Sequence, residues 1–329
     1  MKKVRVTWLC VVLLCCQLPA MTSGSNLTPD EHKRPAVNTY LTFPEWFLVF
    51  SPAEYADYVQ HNYPSNFPFV GHIHQFWQSY SAVSRATISG HMEFNGGYHV
   101  MIMVIGVSTT VEYGIRSAYE TIVGRLSELT SSAPTAEDQF GARVAQDYVD
   151  FIRVRPWYEF DFCSRLKGLW NDVPVHGDNQ IRKWERRYAL TTEYLVKAGY
   201  GWLIGIGTHA SYELPISETA VVVHHGGGNR ELKMLPRYEA FTPAAMALAI
   251  QGNDFVEIAG NEADKDILIS VITDYSWSVP PDAHLLFKQP VITKPGQQRQ
   301  VVTVPVRSLA SLLLTLDQSH IHIEHVFDY

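Results

Sequence analysis

Hydrophobic and polar positions follow two different patterns along this chain, and the change between them divides it. Up to about Leu214 the stretches between turn signals read as helices, and beyond it short β-rich runs take over. The longest apolar run outside the N-terminus is Tyr98 to Val111, 14 positions entered through Asn95-Gly96-Gly97. A membrane span needs about 20 residues. This run reaches that length only by extending to Tyr119 and taking in Glu112 and Arg116. Read as a helix, Ser108, Glu112, Arg116 and Glu120 form one stripe at i, i+4 spacing, with Glu112 placed N-terminal to Arg116, the favourable order.

The same reading places two short helices in 39–59, one started by Thr42 and Pro44 and one by Ser51 and Pro52. It gives a loop over 62–71, a helix over 72–88, and a helix from Thr135 with Asp138 completing its cap. An aromatic-rich helical stretch covers 155–174. Residues 181–212 begin basic and end apolar, with Gly201 and Gly205 spaced to pack closely on another helix, which we assign to 98–111. Segments near 98–116 and 194–212 are therefore candidate membrane-embedded helices. In 240–329 a short helix after Thr242-Pro243, four strands, a leucine-rich helix and a closing strand follow in order. The expected fold class is α+β, with a mainly helical aromatic-rich domain at 39–235 followed by a C-terminal ferredoxin-like α/β sandwich at 240–329.

The N-terminus adds a location. Lys2, Lys3 and Arg5 precede the apolar stretch Val6 to Cys16 and the small residues Ser23 to Ser25, the form of an export signal or signal anchor over 1–24. Residues 25–38 read as a linker. Three of the four cysteines lie in the signal segment, leaving Cys163 in an aromatic setting that reads as buried and inert. A net charge of −7 excludes a basic nucleic-acid binder. Lys and Arg number 3 over 19–97 and 11 over 116–193. If the two candidate segments crossed a bilayer, the positive-inside rule would put the basic loop inside.

Candidate chemistry is sparse. Glu45, His99, Glu112 and Arg116 are the polar groups that could converge on a pocket among the aromatic helices. His320, His322 and Glu324 alternate onto one face of the last strand and could hold a divalent metal, although a solvated strand face has the same pattern. His72 and His74 diverge on a helix, and His91 and Glu93 near His99 match no metal-ligand spacing. No nucleotide-binding, hydrolase or metalloprotease motif is usable, and no cofactor is implied.

The landmarks TFPEWF at 42–47, NGGYH at 95–99, RPWYEFDF at 155–162 and EHVFDY at 324–329 resemble a family of uncharacterised bacterial membrane-associated proteins of the cell envelope. The resemblance implies an inner-membrane or periplasmic location and a two-part layout, and carries no catalytic residues. The expected role is a membrane-associated structural or interaction protein, with the membrane and possible protein partners but no nucleic acid. An envelope enzyme and a metal-binding protein are the alternatives.

Overall fold

Two strands buried on both faces sit at the centre of the molecule. Every residue from Ile267 to Val271 and from Gln298 to Val304 is buried, which requires a layer of structure on each side. In the computed structural model, which describes residues 27–34, 39–90, 92, 94–211, 217–226 and 228–328, both layers are present. The export segment, His91 and Glu93 lie outside the described residues.

Strands β5 (Asp266–Asp274) and β7 (Gln297–Pro305) pair antiparallel along their whole length, flanked by β6 (His284–Pro290) and β8 (His322–Val326) in the order β6-β7-β5-β8. All pairings in this sheet are antiparallel, so β6 runs parallel to β5 with β7 between them. That order and those directions are ferredoxin-like. The crossover from β7 to β8 is a helix, α9 (Leu309–Gln318), whereas β5 reaches β6 through residues 275–283, which carry Pro280 and Pro281 and no helix.

A second four-stranded sheet has the order β2-β1-β3-β4, with β1 at Glu218–His225, β2 at Arg230–Pro236, β3 at Asn253–Ile258 and β4 at Asn261–Glu262. The hairpin β1–β2 thus belongs to the sheet region, and a boundary at 235–240 would cut this sheet in two. Val221, Val223 and Phe255 from this sheet share a core with Ile267, Ile269, Val302 and Val304 from the other. Helices α8 (Phe241–Ile250) and α9 pack into the same core.

The opposite face of the central sheet presents Leu268 and Val301 to Tyr40, Phe43 and Phe50 of α1 (Thr39–Val59) and Val83 of α2 (Phe69–Ser89). Hence the helical and sheet halves share a core. α1 is one helix and not two, running through Pro44 and Pro52. Each internal proline costs about 3 kcal/mol. Complete burial of Leu41, Phe43, Phe47 and Ala56 outweighs that penalty.

The remaining helices are α3 (Gly96–Tyr119), α4 (Arg125–Glu128), α5 (Ala136–Ile152), α6 (Phe162–Asn171) and α7 (Gln180–Ser211). Thr135 and Asp138 form the expected capping box on α5. α7 continues unbroken through its glycines, and Gly201 faces the backbone of Tyr158, where a Cβ would stand 3.2 Å from the carbonyl oxygen. The glycine face therefore packs on the segment before α6 and not on α3.

Candidate functional site

Asn95 caps α3 by accepting a hydrogen bond from the Tyr98 backbone N–H. A π-helical turn at Glu120–Gly124 carries α3 into α4, giving a helical run of 33 residues from Gly96 to Glu128. This run is long and apolar enough to cross a membrane by length and composition, and only 22% of its most apolar window is buried. α7 lies antiparallel beside it. Ser108 Oγ is 3.4 Å from the Tyr200 hydroxyl, Lys197 is 3.3 Å from Glu112, Arg116 is 3.3 Å from Glu193, and Arg186 donates to Glu120 at 2.7 Å.

The polarity of both helices is inverted relative to a solvated protein. On α3 the buried side is His99, Ile102, Gly106, Thr109 and Tyr113, continued by Glu120 and Ser127. The exposed side is Val100, Val104, Val107, Val111 and Ile115, continued by Ile122, Leu126 and Leu129. On α7 the buried side holds Arg182, Lys183, Glu185, Arg186 and Arg187, while Ile181, Trp184, Tyr188, Leu195, Val196, Trp202, Leu203 and Ile206 are exposed.

The inward charges are neutralised within the bundle. Arg187 meets Glu137 at 2.6 Å, Lys183 meets Glu137 at 3.1 Å, and Arg182 meets Asp138 at 2.7 Å. Four of the basic residues counted over 116–193 are thus turned inward and paired. They do not form a basic belt at the surface.

The pocket candidates fall in two places. Glu112 and Arg116 do form the expected i, i+4 pair, at 3.7 Å, but Arg116 is held mainly by Glu193 and by the rings of Tyr55 and Phe69, 4.5 and 5.0 Å from its guanidinium carbon. His99 sits 13 positions before Glu112, about 20 Å along the helix. There it is stacked on Phe94 and is 3.0 Å from the Tyr80 hydroxyl. These three residues do not converge.

Glu45 joins the His99 end of α3. The Tyr98 hydroxyl donates to its carboxylate at 2.5 Å, and burial pushes its pKa up against the favourable pull of that bond. Arg237 and Asp328 act on it from the sheet side. Asp328 itself accepts from Thr219 and from Arg237, each at 2.7 Å, which holds its carboxyl below the usual range despite burial. A half-buried carboxyl poised above its ordinary pKa beside a phenol is a proton donor and acceptor in reach of one another.

The metal candidates do not assemble. His320 precedes β8 in a left-handed turn with φ 53°, so it does not share the strand face. Glu324 is taken by Arg299, which donates to both of its carboxylate oxygens at 2.6 Å. Among the described residues no three His, Cys, Asp or Glu side chains stand close enough to hold a metal ion. Cys163, expected to be buried, is exposed. No protein-family model, no curated protein and no solved structure matches this chain.

Proposed function

We propose that the α3/α7 face lies against the hydrocarbon of a lipid bilayer, making this a membrane-associated protein of the cell envelope with a structural or protein-interaction role. One observation carries the reading: on both helices most of the charges, Glu112 excepted, point inward and most of the aliphatic side chains outward. A solvated helix pair has the reverse arrangement, and a contiguous exposed apolar face is the mark of a membrane or protein contact.

The dimensions agree with lipid. Val100 to Ile122 spans about 33 Å and Trp184 to Trp202 about 27 Å at 1.5 Å per residue, against about 30 Å for a hydrocarbon core. Trp184 and Trp202, at the two ends of that stretch of α7, suit the two interfaces of such a layer. The basic-then-apolar N-terminus and the family landmarks point to the same compartment. α2, which borders α3, exposes His74, Gln78 and Arg85, so polar residues adjoin the apolar face on that side.

Vesicle flotation of the chain with and without residues 1–24 tests this, because the shorter form reports on the face alone. The shorter form should float with the vesicles, and the triple change Val104→Asp, Val107→Asp, Val111→Asp should leave it at the bottom with its circular dichroism unchanged. Equal flotation of the triple variant and its parent would reject the reading.

A second reading rests on Glu45 and Tyr98: an envelope enzyme using this pair for proton transfer. Its test is an activity lost in Glu45→Gln with the fold intact.

A further inference from the structure

Between α1, α2 and the central sheet a line of polar side chains runs through apolar surroundings. Ser51 Oγ is 2.8 Å from the Tyr113 hydroxyl and 3.0 Å from His72 Nδ1, and His72 Nε2 stands 3.7 Å from Glu54 Oε2. Thr293 donates to Glu54 Oε2 at 3.1 Å, and Arg299 Nη2 donates to Glu54 Oε1 at 3.0 Å while the same guanidinium grips Glu324. Beside this line two amides tie α2 to β6: Gln75 Nε2 donates to the Pro290 backbone carbonyl at 2.5 Å, and Gln289 Nε2 donates to the Gln75 backbone carbonyl at 2.7 Å. His72, Gln75, Gln289 and Arg299 are each at most 3% exposed.

Four buried polar atoms of this cluster have no hydrogen-bond partner in the protein: His72 Nε2, Arg299 Nη1, Gln75 Oε1 and Gln289 Oε1. Their residues form a closed circuit. His72 and Gln75 are one turn apart on α2, Gln75 is bonded to Gln289, Gln289 is directly opposite Arg299 in the β6–β7 register, and Arg299 returns to His72 through Glu54. The roles of three of the four atoms are fixed by their other bonds. Both amide nitrogens are committed to carbonyls, so the two Gln oxygens are acceptors, and Arg299 Nη1 can only donate. The fourth is assigned as part of the proposal: Tyr113 donating to Ser51 and Ser51 to His72 Nδ1 puts the proton of the neutral imidazole on Nε2.

We propose that these four groups bind one buried water molecule, which accepts from Arg299 Nη1 and His72 Nε2–H and donates to Gln75 Oε1 and Gln289 Oε1. Two donors and two acceptors match the capacity of water. A halide would satisfy the donors and leave two carbonyl oxygens facing it, and a metal cation would face the guanidinium. With the water in place, hydrogen bonds run without a break from Tyr113 on α3 to Glu324 on β8. The helix that carries the apolar face is then tied to the sheet through solvent held inside the protein.

The full chain, labelled with ¹⁵N-histidine, decides the matter. His72 should show the Nε2–H tautomer and a cross-peak from that proton to a water resident for longer than the rotational correlation time. A crystal structure at about 1.8 Å should show one density peak within about 3.2 Å of the four atoms. The Nδ1–H tautomer, a site with no peak, or a peak with ligand distances near 2.3 Å, the signature of a metal ion, would each overturn the proposal.

Discussion

The indole of Trp46 and the imidazole of His325 stack with ring centroids 3.6 Å apart and 28° between their planes, fastening the first long helix to the last strand. Phe327 meets the imidazole edge-on at 4.7 Å, and the ring is 1% exposed. Burial pushes His325 down to about 3, and burial together with Arg299 does the same to His72.

Both rings lower stability in acid. A folded-state pKa below the unfolded value near 6.5 means that the unfolded chain binds more protons in between. The stabilisation is therefore complete above about pH 6.5 and is lost progressively as the pH falls towards 3. At pH 5 each histidine should cost about 2 kcal/mol. Glu45 and Glu54, whose pKa values burial raises, act in the opposite sense above their ordinary range and offset part of this loss. Urea titrations at pH 7 and pH 5 should show a lower midpoint at pH 5, while the C2–H resonances of His72 and His325 hold still between pH 8 and 5. Normal titration of either resonance near 6.5 would show that its ring is reached by water.

Arg116 has two acidic neighbours of unequal weight. Glu112 is 43% exposed at its side chain, whereas Glu193 is 21% exposed and also holds Lys197 at 2.8 Å. Glu112→Gln should cost a few tenths of a kcal/mol, the worth of an exposed i, i+4 pair. Glu193→Gln leaves Arg116 and Lys197 to share the more exposed Glu112 and should cost about 2 to 3 kcal/mol. Denaturation of the two variants and of the pair with Arg116→Met separates them. Equal costs at positions 112 and 193 would mean that the seam between α3 and α7 is open to solvent.

Some of this was legible in the sequence and some was not, for identifiable reasons. The cap at Thr135, the entry at Asn95 and the leucine spacing of α9 are local signals, and each became the element it announced. The hairpin β1–β2 is hidden in the sequence because β2 is an edge strand whose residues are mostly exposed and include Arg230, Glu231 and Lys233, so it reads as a loop. The polarity of α3 and α7 was hidden because a stripe has the same period whichever side faces inward. Arg299 reads as a solvent-facing residue of a strand, and its partner Glu54 lies 245 positions away. No local pattern encodes that pair.

The shared core makes a prediction about fragments. Residues 240–329 alone lack β1 and β2 and expose Leu268, Val301, Phe287 and Phe327, which α1 and α2 cover in the whole chain. Arg299 also loses Glu54. The isolated fragment should show no cooperative thermal transition and should bind a hydrophobic dye. A sharp transition in the fragment would show that its own core suffices.

Two glycines of α3 should respond to the same substitution with opposite sign. At Gly106 an added Cβ would collide with Phe76 and would lie 2.9 Å from the Trp77 ring. Trp77 cannot move freely, because its indole N–H donates to Thr110 at 3.0 Å and Thr110 in turn donates to the Gly106 carbonyl at 2.7 Å. The helix-propensity gain of about 1 kcal/mol for alanine over glycine is then set against an overpacking cost of about 1 to 3 kcal/mol plus a strained hydrogen bond. Gly114, two turns further on, has nothing within 4 Å of the position a Cβ would take. Gly114→Ala should therefore raise the free energy of unfolding by about 0.5 to 1 kcal/mol, and Gly106→Ala should lower it by about 1 to 2 kcal/mol. Chemical denaturation of the two variants side by side measures the difference. Two equal gains would mean that α2 and α3 stand further apart than a glycine contact allows.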